Sequence, residues 1–450
     1  MERLALLFDK KEIQSAYSKA IALLSTLQRS NGGWAWIDES GEPSQWATMS
    51  VLGSMGRLRQ LGYLPSDSRL SSMITDAVLW LDKETAAQYR KYPKADYTAY
   101  VAIRDYFKDI KQSSAAARVT ASTVQRIIAD WKRYDVAGKA TAALILNDNG
   151  YHTTATRLLA SLREYSIYTP ATGRHWPSLG TSGVPNVAAT ALILDAFNSV
   201  EPGCRDIDQI RQWLILQKEA QNWGNSVATS DAIASILGSG TKWTVPAAGV
   251  EIKVNDTLVP QTTTDRQLGY LRTSISALSP SDAMLSISKT PAGPAWGAVY
   301  CQYRGEMKDI EPQSCEAVSV EKHFYVQRGD QWEEAETFTV GDRVRVDLVI
   351  KSTRDMDYVA IIDNRSACFE PVEQLPRPIF AEGIYFYREN RDSATDMFVT
   401  HMPKGTYLLS YELFANNSGR FSSGVASLQS QYAPAMSAHS SGRIVTVKAK

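Results

Sequence analysis

The spacing of apolar residues changes near the middle of the chain. In the first half they recur every three to four positions, which is typical of amphipathic helices. A first such run comprises Ile13, Ala16, Tyr17, Ala20, Ile21, Leu24 and Leu27. The same period predicts helices over 96–109, 115–131, 136–147, 151–165, 185–198, 205–218 and 226–237. Gly238-Ser239-Gly240 then interrupts the helical pattern and indicates a domain boundary.

Beyond this boundary apolar residues alternate with polar ones, which is the period of β-strands. The alternating sets are Val250, Ile252 and Val254; Val344, Val346, Leu348 and Ile350; and Tyr407, Leu409, Tyr411 and Leu413. Turn residues stand beside these sets, so they predict antiparallel strands in sandwich-like domains. The chain is therefore expected to combine an α region with an all-β region.

A recurring spacing marks a repeated unit in the helical half. Twice a Trp is followed fourteen residues later by a Thr at a predicted helix start, and twice a Gln stands six residues before a Trp. Each unit is interpreted as a helix ending in Gln, a Trp-bearing loop and a second helix. Such hairpins must stack to bury their apolar faces, which predicts an α/α toroid. The residues of this signature are Gln28, Gly33, Trp34, Thr48, Trp176, Thr190, Gln217 and Trp223.

Composition and charge exclude several classes of function. The 450 residues include 48 Lys and Arg against 48 Asp and Glu, so the formal net charge is zero. This balance offers no basic surface for nucleic acid or an anionic membrane. No apolar run approaches the ~20 residues that span a bilayer. The five His and four Cys show no zinc-ligand spacing, so no metal or other cofactor is expected.

Both halves resemble one family, and they do so in the family's order of domains. Residues 28–36 and 44–48 are similar to the thioester-domain toroid of α2-macroglobulin-like proteins, especially the large bacterial members. The C-terminal macroglobulin-like domain of that family is resembled by residues 341–346, 355–363, 403–411 and 431–447. The resemblance covers nearly the whole chain.

This resemblance implies a multidomain α plus all-β protein. The expected domains are an α/α toroid over residues 1–242, the second part of a split small β domain over 243–312, and a C-terminal β-sandwich over 313–450. The toroid is expected to lack its first helices, because the chain would be the C-terminal fragment of a longer protein. That protein is expected in the periplasm or cell envelope, lipid-anchored through the N-terminal part outside this chain.

The function that the resemblance implies is a protease trap without catalysis of its own. In the family a protease cuts a bait region, the molecule rearranges, and a thioester can tether the attacking protease. The expected partners are therefore proteases, together with other envelope proteins. Two alternatives stay open. One is an α/α-toroid enzyme of the glycosidase or terpenoid-cyclase type, and the other is an envelope interaction module that does not trap.

The thioester of the family requires the motif Cys-x-Glu-Gln, because the Gln side chain acylates the Cys sulfur. None of the four Cys stands in this motif, and the nearest imitation, Cys368-Phe369-Glu370-Pro371, has Pro in place of Gln. We therefore expect this chain to lack the reactive thioester. The family also shields its thioester with a Tyr near the C-terminus, and Tyr432 occupies the matching place. The alternative for Tyr432 is a packed aromatic residue at a strand end.

Three further features concern stability rather than chemistry. Cys301 and Cys315 could close a disulfide across a hairpin, which would add roughly 3 kcal/mol for a loop of about fourteen residues. Two unpaired thiols fit the sequence equally well. Asp96 and Asp231 lie near predicted helix starts, where they are expected to cap the helix or to complement its dipole.

Overall fold

A computed structural model of the protein describes residues 10–36, 41–170, 172–177, 187–220, 223–240, 249–260, 263–265, 270–275, 284–290, 297, 299–300 and 305–450. The chain divides into two compact units. The first comprises Met1–Thr169, Gly173–Leu214 and Gly224–Trp296. The second comprises Pro170–Thr172, Ile215–Trp223 and Gly297–Lys450.

Ten α-helices lie in the described part of the chain. They are α1 Lys10–Leu27, α2 Gln45–Gln60, α3 Ser68–Lys91, α4 Thr98–Asp105, α5 Ser114–Asp130, α6 Val136–Asp148, α7 His152–Glu164, α8 Val187–Val200, α9 Arg205–Ala220 and α10 Ser226–Gly238. Polar residues before several helices fix their starts, because each accepts a hydrogen bond from a backbone N–H three positions on. These caps are Ser44, Asp67, Ser113, Asp135 and Asn225.

The even-numbered helices form an inner ring. Helix α2 packs against α4, α4 against α6, α6 against α8, and α8 against α10. Arg57 on α2 reaches Asp231 on α10 and so closes the ring. The odd-numbered helices α3, α5 and α7 alternate with the ring helices along the chain. Each of them packs against at least one helix of the ring. The predicted α/α toroid of helical hairpins is confirmed.

Composition explains why α6 and α8 lie inside. Helix α8 buries Ala189, Thr190, Ala191, Ile193, Leu194, Ala196 and Phe197, which leaves little of its circumference polar. A helix that is apolar almost all round must be covered on every side. Small Ala side chains let the neighbouring helices approach closely.

The described strands of the first unit are short. They are β1 Ile167–Thr169, β2 Gly173–His175, β3 Val250–Val254, β4 Thr257–Leu258, β5 Thr263–Asp265, β6 Tyr270–Arg272 and β7 Leu285–Lys289. They form the antiparallel pairs β1–β2 and β5–β6 and a three-stranded sheet in the order β4-β3-β7. The boundaries predicted for a small β domain over 243–312 stay a prediction.

The second unit is dominated by a β-sandwich. Its strands are β8 Val318–Arg328, β9 Gln331–Glu334, β10 Thr337–Thr339, β11 Arg343–Ser352, β12 Met356–Asn364, β13 Phe369–Pro371, β14 Arg377–Ala381, β15 Ile384–Asn390, β16 Ala394–Met402, β17 Gly405–Ala415, β18 Gly419–Ser422, β19 Ala426–Ser430, β20 Ser437–His439 and β21 Ile444–Lys448. A five-stranded sheet has the order β13-β17-β11-β8-β9. A six-stranded sheet has the order β14-β15-β16-β12-β19-β20, and a three-stranded sheet the order β10-β21-β18.

The apolar sets predicted for β11 and β17 line the sandwich core. Residues 344, 346, 348 and 350 are fully buried, as are 409 and 413, and residues 407 and 411 are nearly so. The period-two pattern therefore placed the inward face of both strands correctly. The C-terminal β-sandwich is confirmed.

A buried polar group joins the two main sheets through the core. The Nζ of Lys322 on β8 lies 2.5 Å from Oδ1 of Asp363 on β12 and donates to the carbonyl of Asn364 at 3.0 Å. The hydroxyl of Tyr411 on β17 donates to Oδ2 of Asp363 at 2.6 Å. Burial and the Asp363 charge raise the pKa of Tyr411 well above its ordinary value. Each charge in this group has a partner, as buried charges require.

Candidate functional site

Tyr432 lies in the loop that connects β19 to β20. Two small apolar anchors hold this loop to the core, since Ala433 and Met436 are both buried. The amide of Met436 donates to the carbonyl of Ala433, and the amide of Ser430 donates to the carbonyl of Met436. Immediately before these anchors the Tyr432 side chain projects outward and is 71% exposed. The loop therefore displays an aromatic ring on a tied backbone.

A second exposed tyrosine stands beside it. Tyr358 on β12 packs its ring edge-to-face against Tyr432, with ring centres 5.1 Å apart and an interplanar angle of 82°. The amide of Gln431 donates to the carbonyl of Tyr358, which fixes the two side chains relative to each other. Tyr358 has φ of +53°, in the left-handed region that bulky residues avoid.

The left-handed backbone of Tyr358 is strained. A bulky residue in the left-handed region costs about 1–3 kcal/mol, and such strain tends to collect at binding and catalytic sites. Here it holds Tyr358, 51% exposed, beside an even more exposed tyrosine. Two aromatic hydroxyls held at the surface suit a docking contact, because burying one such ring gains about 1.5–3 kcal/mol. The pair, Tyr358 and Tyr432, is called the tyrosine pair below.

The sequence predicted Tyr432 but missed its partner. Tyr358 stood inside the stretch 355–363 that carries the family resemblance, yet nothing in the sequence marks it as special. A positive φ at a tyrosine departs from regular strand geometry and leaves no signal in the sequence. The shielding role expected of Tyr432 stays a prediction.

In the helical region the structure explains the Trp-to-Thr spacing of the first repeated hairpin. The backbone amide of Trp34 donates to the Thr48 hydroxyl at 2.9 Å, and its indole N–H donates to the Leu24 carbonyl at 2.8 Å. The indole of Trp176 makes the corresponding bond to the Leu162 carbonyl at 2.8 Å. Each Trp therefore joins its loop to the preceding outer helix. Its role is structural.

Glycine at position 33 is required by a close approach. A Cβ there would lie 2.7 Å from the Trp80 ring and 2.7 Å from the Pro43 Cβ. The side-chain amide of Gln28 completes the turn by donating to the carbonyls of Gly32 and Met73. The Gly-Gly-Trp loop thus packs directly on α3.

The remaining signature residues are also buried. Thr190 lies inside α8, and Trp223 lies just before α10. Gln217 is buried within α9, which continues to Ala220, so the expectation that this helix ends in Gln is wrong. The helix extends further because residues 218–220, Lys-Glu-Ala, are good helix formers.

Neither of the two expected caps is the N-cap residue of its helix, since Tyr97 and Asn225 hold those positions. Asp96 accepts a hydrogen bond from the amide of Thr98 at the start of α4, at 2.9 Å. Asp231 is wrong as a cap, because it lies one and a half turns inside α10 and Asn225 caps that helix. Asp231 instead pairs with Arg57 across the ring, with a distance of 2.6 Å between Oδ1 and Nη1.

Arg57 binds two acidic residues at once. Its guanidinium also pairs with Asp195 on α8 and donates to the Ser235 hydroxyl at 3.2 Å. Burial opposes the charge on Arg57, but the carboxylates of Asp195 and Asp231 outweigh it and raise the arginine's pKa. This cluster closes the inner ring. The sequence could not predict it, because Arg57 and Asp231 are 174 residues apart.

Neither Cys368 nor any cluster of metal-ligand residues in the described ranges offers a reactive group. Cys368 is buried, and burial raises the pKa of its thiol, which disfavours the nucleophilic thiolate. Cys301 lies outside the described residues, so its disulfide with Cys315 stays a prediction. Within the described ranges no group of His, Cys, Asp and Glu is arranged to hold a metal ion. None of the helices described here is long and apolar enough to cross a membrane.

Comparison with known families finds one match, which lies in the β-sandwich. Residues 318–435 match the family described as "Bacterial Alpha-2-macroglobulin MG10 domain". Residues 318–435 are therefore similar to this domain family. Both members of the tyrosine pair fall inside the matched residues, and Tyr432 stands three residues before their end. No curated protein sequence matches the chain.

Solved structures of bacterial α2-macroglobulins also align with the chain. Escherichia coli α2-macroglobulin activated by porcine elastase is 16% identical over 98% of this chain, with a TM-score of 0.43. Native Escherichia coli α2-macroglobulin from domain MG7 to the C-terminus is 16% identical over 98%, with a TM-score of 0.33. Salmonella α2-macroglobulin reacted with methylamine is 16% identical over 94%, with a TM-score of 0.33. The chain spans 39% of the first of these proteins, 68% of the second and 27% of the third.

Proposed function

We propose that this chain is the C-terminal part of a bacterial α2-macroglobulin-like protease trap. The match of residues 318–435 to the MG10 domain of that family carries the proposal. The order of a helical toroid followed by a β-sandwich is consistent with it. The chain itself has no catalytic role in this function, and its partners are proteases that attack the full-length protein.

The trap acts through shape rather than through a reactive group in this chain. None of the four Cys belongs to a Cys-x-Glu-Gln motif, so no internal thioester can form within these residues. Methylamine, which opens such thioesters, should therefore leave the intact mass of the 450-residue chain unchanged. A gain of one methylamine on a glutamine of this chain would contradict this part of the proposal.

The tyrosine pair is the proposed docking element of the resting trap. An exposed aromatic pair on a tied loop gains free energy when another domain of the full-length protein covers it. Tyr432→Ala in the full-length protein should make the uncleaved form convert spontaneously, in the absence of protease. Tyr385→Ala is a matched control, because Tyr385 is equally exposed, at 72%, on β15 of the same sheet. Equal conversion in both variants would remove the tyrosine pair from the mechanism without affecting the family assignment.

The trap itself is tested with a protease and two substrates. Elastase and trypsin are suitable, since structures of Escherichia coli α2-macroglobulin are described as activated by each. The full-length protein should be cut, and the protease should co-elute with it. The retained protease should still hydrolyse a small chromogenic peptide but lose activity toward a large protein substrate. Cleavage with no loss toward the protein substrate would favour the non-trapping envelope module.

We place the full-length protein in the periplasm or cell envelope, where foreign proteases would be met. Fractionation of the source cells followed by immunoblotting tests this. A purely cytoplasmic signal would contradict it.

A further inference from the structure

Strand β17 has an open edge along most of its length. On one side it pairs with β11 from Gly405 to Phe414. On the other side β13 pairs only with residues 413–415, and Val372 extends the contact by donating its amide to the Glu412 carbonyl at 3.0 Å. Among the described strands, no other pairs with this side of β17.

The backbone of this edge is oriented for pairing. In an antiparallel ladder the hydrogen-bonding groups of successive residues point to opposite sides. The carbonyl of Glu412 points to the β13 side, so the N–H and C=O groups of Ser410 and Leu408 point there too. Unpaired groups of this kind are a template for an added strand.

An arginine-lined cavity of about 450 Å³ lies beside this edge. Ser410 and Glu412 of β17 form one wall. The arginines come from both main sheets of the sandwich, so they flank the edge on two sides. They are Arg343 and Arg345 on β11, Arg377 on β14 and Arg388 on β15.

The charges in this cavity favour an acidic ligand. Arg343 pairs with Glu412 at 2.5 Å, and Arg345 pairs with Asp347 at 2.9 Å. Arg377 and Arg388 share a single carboxylate, that of Glu373. Four cations therefore face three anions. The side chain of Arg388 is only 8% exposed, so little water reaches it to stabilise its charge.

Glu373 indicates how a ligand carboxylate would be held. It lies outside the strands, between β13 and β14, and its side chain is 38% exposed. Its carboxylate bridges two guanidiniums that come from neighbouring strands. A glutamate or aspartate of a bound strand could replace the Glu373 carboxylate between the two guanidiniums. The buried arginine would then keep an anionic partner.

We propose that the open edge of β17 and its flanking arginines bind an extended acidic peptide segment by strand addition. The ladder bonds are made to Ser410 and Leu408. Acidic side chains on one face of the added strand meet the flanking arginines. A segment in which acidic and β-branched residues alternate fits this site best.

The direct test measures the fluorescence anisotropy of labelled decapeptides in the presence of the full 450-residue chain. A peptide that alternates Glu with Val should bind, and excess unlabelled peptide should displace it. A peptide that alternates Gln with Val should bind about tenfold more weakly, because the charge-assisted hydrogen bonds are lost. A Glu-Val peptide N-methylated at alternate residues should also bind about tenfold more weakly, because it cannot complete the ladder.

Matched variants separate the edge from simple charge attraction. Ser410→Pro removes an N–H that the fold does not use, whereas Ser410→Ala keeps it. The first should lose binding and the second should keep it. Arg343→Gln and Arg377→Gln should each weaken binding, whereas Arg391→Gln, on an exposed arginine outside the cavity, should not. Thermal melting of each variant confirms that it remains folded.

Several results would overturn the proposal. One is the absence of saturable binding by the Glu-Val peptide. Another is equal binding of the N-methylated peptide, or full binding by a folded Ser410→Pro variant, since either would indicate general attraction to a polyanion. None of these results bears on the protease trap, which does not depend on this edge.

Discussion

Arg57 links helices on the two sides of the ring closure. Arg57 pairs with Asp195 and Asp231, and so connects the first inner helix to the last two. Arg57→Met keeps the apolar stem of the side chain but removes the charge. Both carboxylates then lose their cation, and the ring loses its only described ion pair between α2 and α10.

The expected cost follows from the exposure of the three side chains. They are 17%, 27% and 34% exposed for Arg57, Asp195 and Asp231 respectively. Breaking a fully buried pair costs about 3–5 kcal/mol, and breaking an exposed pair costs up to about 1 kcal/mol. The intermediate exposure places this variant at about 2–3 kcal/mol. For a domain of about 150–250 residues that corresponds to a fall in melting temperature of roughly 4–12 °C.

Differential scanning calorimetry of the whole chain measures this loss in the transition of the helical region. Arg59→Met is the matched control, because Arg59 lies on the same helix and its pair with Asp109 is largely exposed. That control should shift the transition by less than about 3 °C. Adding Asp195→Asn to the Arg57→Met variant should recover part of the loss, because it removes a stranded charge. A melting temperature for Arg57→Met within about 1 °C of the unmodified chain would show that the Arg57 ion pairs do not stabilise the helical region.

Three further substitutions test a buried carboxyl group, the buried ion pair of the sandwich and a close approach at a glycine. Burial, more than the nearby charges, raises the pKa of Asp105 to about 6 from 3.8, so the folded helical region should gain stability as the pH falls from about 7 towards 4. Asp105→Asn should raise the melting temperature at pH 7.5 and flatten that pH dependence. Lys322→Met strands the buried Asp363 carboxylate and should cost about 3–5 kcal/mol in urea unfolding of the sandwich. Gly33→Ala forces a Cβ into the Trp-bearing loop and should cost about 1–3 kcal/mol, whereas Gly53→Ala inside α2 should be neutral or stabilising in the same melts.

Much of the fold was accessible from the sequence because burial is periodic. The apolar period predicted α6 over 136–147, and the helix is Val136–Asp148. The alternation of residues 344–350 identified the inward face of β11 without error. Local chemistry was also readable where partners are close in the chain, as with Trp34 and Thr48, which are fourteen residues apart.

The rest could not be read because it depends on distant partners and on backbone geometry. Asp231 lies near a helix start and looks like a cap, but its partner stands on a helix at the other end of the ring. Tyr358 acquires its outward position from a positive φ that its residue type disfavours. The open edge of β17 exists only because β13 is short, and strand length is poorly encoded in a pattern of apolar residues.

The proposed α2-macroglobulin-like trap, of which this chain would be a part, works by changing shape. Small-angle X-ray scattering of the full-length protein, before and after cleavage by elastase, tests this most directly. The radius of gyration should change clearly on cleavage and should stay the same when the elastase is inactivated beforehand. A protein that is cut to completion while its radius of gyration stays the same would not be a trap of this kind.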